Sequence, residues 1–98
     1  TNSSILDKKK TYCYPNPAEN GFATLRVTVG EADNIIISIY DLAGFFVERF
    51  EIATVLPNEV NEVVWDVSQV ESGVYFANVE ASSAGESASK ILKIAVIN

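Results

Sequence analysis

The sequence predicts an all-β, antiparallel sandwich of about seven strands. Three observations point there. Twelve Val, nine Ile and five Thr make over a quarter of the 98 residues β-branched, the composition of a pleated, half-buried surface. Apolar and polar residues alternate with period two, and no window carries the 3.6-residue apolar stripe of a capped helix. Turn residues interrupt the pattern at short, fairly regular intervals, as in a sandwich. Hairpins and short crossovers suffice for every connection, so the sheets should be largely antiparallel.

Residues 1–10, TNSSILDKKK, are polar and aperiodic and read as a linker to an upstream domain, with the sandwich over 11–98. A short strand over 10–14 runs into Pro15-Asn16-Pro17. The second strand, about 22–29, alternates Leu25, Val27 and Val29 with Thr24, Arg26 and Thr28. The third, 35–40, places Ile35, Ile37 and Ile39 on one face. Asp41-Leu42-Ala43-Gly44 forms a hairpin loop, with Asp41 capping the turn and Gly44 free to take positive φ. The fourth strand covers 45–52, and Pro57-Asn58-Glu59 closes the loop after it. The fifth, about 61–67, points Val63, Trp65 and Val67 inward, leaving Asp66 exposed. Ser72-Gly73 turns the chain into the sixth strand, 74–81. After the loop Ser82-Ser83-Ala84-Gly85 the last strand spans roughly 87–97.

Composition narrows the chemistry. One domain of this size buries roughly two-thirds of its unfolded surface, enough for a core without staples. There is no His, which removes His triads, His bases and His metal ligands, and the single Cys removes an internal disulfide or CxxC pair. No metal or cofactor is expected. Net charge is −6: residues 11–89 carry −10, while residues 1–10 and 90–98 carry +2 each. An acidic body argues against nucleic acid and anionic membranes as partners. No apolar run approaches a membrane span of ~20 residues. With neither an initiator Met nor a signal-peptide core, the chain reads as a fragment of a longer protein. Glu59, Glu62 and Asp66 lie close in sequence, but a small sandwich offers little room for the cleft a carboxylate pair needs. The chain is expected not to be an enzyme.

Five motifs occur in order: Tyr14-Pro15-Asn16-Pro17-Ala18, Ile37-Ser38-Ile39-Tyr40-Asp41-Leu42-Ala43-Gly44, Val64-Trp65-Asp66-Val67-Ser68, Ser72-Gly73-Val74-Tyr75-Phe76 and Ser89-Lys90-Ile91-Leu92-Lys93. The series resembles the C-terminal sorting domain of proteins exported by the type IX (Por) secretion system. It is also similar to the Ig-like domain of flagellar hook-capping proteins. The resemblance implies an Ig-like or fibronectin-like sandwich attached to a larger cargo protein. It further implies passage through the periplasm to the outer-membrane surface or extracellular space. The implied partners are the outer-membrane export machinery and a surface sortase that cuts at the preceding linker. Two features depart from the family: Phe45 and Phe46 follow Gly44, and Ile94 to Asn98 extend beyond Lys93.

Each landmark also has a plain structural reading. Pro15 and Pro17 fix two φ angles and hold Tyr14 and Asn16 extended, which makes a rigid turn before it makes a recognition loop. Gly73 serves backbone geometry, and Tyr75 packs its ring inward with the hydroxyl at the edge. Cys13 reads as a small buried hydrophobe. Lys90 and Lys93 are three apart, so a regular strand places them on opposite faces. They could simply guard an edge strand; the resemblance makes that strand the one the machinery reads. The partner-recognition candidates are therefore Lys90, Lys93, Pro15, Asn16, Pro17, Gly73 and Tyr75. The alternatives to a sorting module are a structural spacer and an accessory carbohydrate- or surface-binding module. Joint exposure of three or more of Tyr40, Phe46, Phe50 and Phe76 would favour the binding module.

Overall fold

Seven strands stack as two antiparallel sheets in a computed structural model, which describes residues 5–98. The strands are β1 (Tyr12–Tyr14), β2 (Phe22–Thr28), β3 (Asn34–Asp41), β4 (Phe46–Ile52), β5 (Val60–Asp66), β6 (Gly73–Ser83) and β7 (Glu86–Val96). One sheet has the order β1-β2-β5 and the other β4-β3-β6-β7. Pairing β4 with β3 rather than with β5 gives the fibronectin-like variant of the Ig-type sandwich. Strand limits differ from those read in the sequence by one or two residues, the usual fraying of element ends.

The core lies between the sheets and follows the period-two pattern. Ala23, Leu25 and Val27 of β2 face Ile35, Ile37 and Ile39 of β3 and Ala77, Val79 and Ala81 of β6, all fully buried. Trp65 is 2% exposed and meets the ring of Tyr75 edge-on, with centroids 5.5 Å apart. Tyr75 lies near the start of β6 and donates its hydroxyl hydrogen to the carbonyl of Glu71 at 2.6 Å. This is the tyrosine corner of Ig-type sandwiches, which ties a strand to the loop before it. Burial pushes the Tyr75 phenol pKa up, with smaller contributions from the charges of Glu71 and Asp41. Asn61 is buried on the Trp65 face, accepting from Leu56 N and donating to the carbonyls of Leu56, Glu59 and Val27. Its amide thereby closes the loop between β4 and β5.

The N-terminal segment differs from the expected linker. Residues 1–4 lie outside the described residues, but Ile5 and Leu6 are buried in the core. Asp7 donates its backbone N–H to Thr28 O at 2.8 Å, and its carboxylate caps a 3-10 turn over Lys8–Lys10. Two isolated apolar residues carry no period, so their sequence gives no sign of core contact.

The four aromatic residues named for a binding platform are not exposed together. Of Tyr40, Phe46, Phe50 and Phe76, only Phe46 is largely exposed. Phe45 is exposed beside it, so the Phe pair after Gly44 lies on the surface. The residues beyond Lys93 belong to the fold: Ile94 and Val96 are buried, and Asn98 donates its side-chain amide to Val67 O and Val70 O.

Candidate functional site

The first strand changes sheets at Pro15-Asn16-Pro17. Before it, β1 pairs with β2 in the three-stranded sheet. After it, Ala18 bridges in parallel to Val96 of β7 in the other sheet. Both Xaa-Pro bonds of the motif are cis. Asn16 sits at the crossing and substitutes for a strand. Its Nδ2 donates to Lys93 O at 2.9 Å, and its Oδ1 accepts from Ala95 N at 3.0 Å. One side-chain amide thus makes the two bonds a neighbouring peptide group would make. Ala18 continues the pairing, donating to Ala95 O at 2.7 Å and accepting from Ile97 N at 3.0 Å. The C-terminal half of β7, a sheet edge by strand order, is therefore capped.

Most of the sequence-predicted recognition residues meet at this capped end. Gly73 stands opposite Val96, and Tyr75 opposite Ile94, across the β6–β7 ladder. Lys93 is exposed on the outer face, opposite Phe76. Pro15, Asn16 and Pro17 lie along its backbone, with Pro15 half-buried and the other two exposed. Tyr75 itself is buried and supports the site from beneath.

Lys90 is elsewhere. The odd spacing does put it on the other face, but that face is turned toward the sandwich interior. Its ammonium donates to Thr11 O at 2.9 Å and to Lys8 O. Thr11 is fully buried, and its hydroxyl donates to Asp7 O while accepting from Thr28 N. Lys90 thus pins the N-terminal segment across the open end of the two sheets. The two lysines thus lie on opposite faces of β7, with different surroundings.

Asp41 and Gly44 lie apart from both. Asp41 Oδ1 accepts from Ala43 N and Phe45 N at 3.0 and 2.8 Å, and Gly44 has φ of 92°, so both shape the β3–β4 turn. Cys13 is buried in β1, which pushes its thiol pKa up to about 11. Asp66 is held below its ordinary pKa by hydrogen bonds from the Ser68 hydroxyl and backbone N–H. Glu62 forms an ion pair with Arg26 at 3.1 Å, and Arg26 also lies over the rings of Tyr12 and Tyr14.

Sequence reasoning missed the anchoring role of Lys90 and the burial of Ile5 and Leu6. It marked Asn16 without the reason. A polar residue locked between two prolines is the available signal, since such a residue is held extended and can offer its amide to a neighbour.

A family model for the secretion system C-terminal sorting domain matches residues 12–94. That range begins at β1 and ends within β7, so it takes in both sheets. No curated protein matches the chain. The match carries a sorting signal for type IX secretion, an encounter with that machinery, and export to the outer-membrane surface or the extracellular space. Among the described residues, no helix is long and apolar enough to cross a membrane. With that match spanning both sheets and the Asn16-capped strand, the chain belongs to the family of secretion system C-terminal sorting domains.

Proposed function

We propose that the domain is a non-catalytic tag that directs a covalently attached cargo protein across the outer membrane, and that the machinery reads the capped end of β7. The observation that carries this reading is convergence. Asn16 and Lys93 are 77 positions apart, yet they share a hydrogen bond, and Gly73 and Tyr75 support the same strand end. Pro15, Pro17 and Lys93 then present a surface with an exposed cation beside the acidic stretch of residues 11–89. Such a charge placement favours orientation and selection of a partner. A passive role in chemistry agrees with the residues: His is absent, and the thiol of Cys13 stays protonated at neutral pH. A surface sortase would cut on the N-terminal side of the buried Ile5 and Leu6, because a protease needs accessible backbone.

The test is a secreted reporter fused ahead of the domain in a host with type IX secretion. The wild-type fusion is expected at the cell surface or in the medium, and in the periplasm when the machinery is deleted. Equal export with and without the machinery would leave the structural spacer as the better reading.

A further inference from the structure

The outer face of the four-stranded sheet is divided into two halves. Ile37 and Ile39 of β3, Ala77 and Val79 of β6, and Leu92 and Ile94 of β7 are buried, so alternation turns the residues between them outward. Register then sets Phe46, Tyr40, Phe76 and Lys93 side by side in one row across all four strands. A bulge in β4 builds this row. Unbroken pairing beyond Ile39↔Glu48 would set Val47 opposite Tyr40, but the register shift sets Phe46 there instead. The Phe46 and Tyr40 rings meet edge-on, with centroids 6.2 Å apart. The next row is Arg49, Ser38, Asn78 and Ile91, and the one after it is Glu51, Ile36, Glu80 and Ser89.

Acids enter this face only at the third row. At the other end Val74 and Ala95 close it, where Ala95 N meets Asn16. The remaining charges nearby are turned away or paired. Asp41 and Glu71 lie near the inward-facing Tyr75 phenol, and Asp41 Oδ1 accepts from Ala43 N and Phe45 N. Glu48 stands opposite the buried Ile39. Arg49 pairs with Glu51 at 3.7 Å, whereas Lys93 forms no ion pair among the described residues.

We propose that the sorting surface extends from Lys93 across β6 and β3 to Phe46, and that the partner protein meets it with an apolar strip that ends in a carboxylate opposite Lys93. This rests on the sorting reading and adds the partner's chemistry to it. Continuity carries the inference. Lys93 is the last member of the aromatic row, so a partner that reaches it from the outer face lies over Phe76 and Tyr40. Phe46 and Ile91 are exposed on the same half, and Tyr40 and Phe76 are half-buried. Protein interfaces place aromatic side chains at the centre and charges at the rim, and the two cations here sit on the outermost strands, β4 and β7. Glu51 and Glu80 bound the strip, so the partner's carboxylate cannot shift that way without meeting like charge. A polysaccharide fits less well, because the Tyr40 and Phe46 rings stand at 74° to each other and offer no flat platform.

The test uses the reporter fusion in a host with type IX secretion. Phe46→Ser and Ile91→Ser both change exposed positions, so each should melt within a few degrees of wild type. Each should lower export about tenfold, the loss for one well-packed interface side chain. Glu80→Ser, on the acidic half, should export normally. If Phe46→Ser fails to fold, Ile91→Ser decides alone. Lys93→Glu separates this inference from the reading beneath it. Loss of export in Lys93→Glu, with wild-type export in folded Phe46→Ser and Ile91→Ser, overturns the extended surface and leaves the sorting site standing. Wild-type export in all three removes both. A tenfold loss in Glu80→Ser as well overturns the division of the face. Binding of the purified 98-residue chain to phosphatidylcholine vesicles, abolished by Phe46→Ser, also overturns the inference, in favour of a lipid surface.

Discussion

Lys90 and Lys93 stand three residues apart on one strand, yet the fold gives them opposite work. Lys90 points inward and spends its charge on Thr11 O and Lys8 O, tying the N-terminal segment to the far edge strand. Lys93 points outward with its ammonium in solvent, while its carbonyl receives the amide of Asn16. A motif that looks like one charged signal is a structural anchor followed by a surface group. The difference follows from strand geometry, because an odd separation divides a pair between two faces.

The largest losses of stability are expected at the anchored end. Leu6→Ala should cost about 2–5 kcal/mol, because Leu6 is 3% exposed in the core. Thermal unfolding should show a fall of roughly 4–8 °C per kcal/mol for a domain of this size. An unchanged melting temperature would show that the segment before β1 is a linker after all. Lys90→Met should cost about 1–3 kcal/mol, since it keeps the apolar stem but leaves the buried Thr11 carbonyl without its charged donor. It should also speed alkylation of Cys13, two residues beyond Thr11, whereas Lys93→Met should not. Equal rates in the two variants would erase the distinction.

The capped end predicts smaller losses. Asn16→Ala removes two neutral hydrogen bonds to β7 and should cost about 1–2 kcal/mol. The amide of Ala95, which donates to Asn16 Oδ1, should then exchange faster than those facing β6. If it does not, the side chain is not closing the edge. Alkali separates the ends in another way. Burial raises Cys13 from its ordinary 9.0 to about 11, so the unfolded thiol ionises first. The stabilisation is complete below pH 9.0 and is lost as pH rises toward about 11. Cys13→Ala should flatten that part of a stability-against-pH curve, and an identical curve would show that other groups dominate. Lys93→Glu should have the smallest effect on folding, within about 0.5 kcal/mol, as for other exposed positions.

The strands were legible because alternation is a local property: Leu25, Val27 and Val29 announce a buried face wherever their sheet lies. The opposite faces of Lys90 and Lys93 were legible for the same reason. What Lys90 meets was not, because Thr11 is 79 positions away and contributes only a carbonyl. Ile5 and Leu6 gave no pattern at all, since two adjacent apolar residues fit any period. Asn16 was conspicuous between its prolines, but its likeness to a peptide group emerges only beside β7. Sheet membership of β4 also depends on pairing across the fold rather than on its own residues.

The most direct test compares Lys93→Glu with Lys90→Met in the same reporter fusion, measuring export and melting temperature together. Lys93→Glu should melt within a few degrees of wild type, by the size scaling of thermal unfolding, yet leave the reporter in the periplasm. Lys90→Met should melt lower, while the folded fraction retains export. A folded Lys93→Glu domain that exports its reporter at the wild-type level would contradict the assignment of recognition to the capped end of β7.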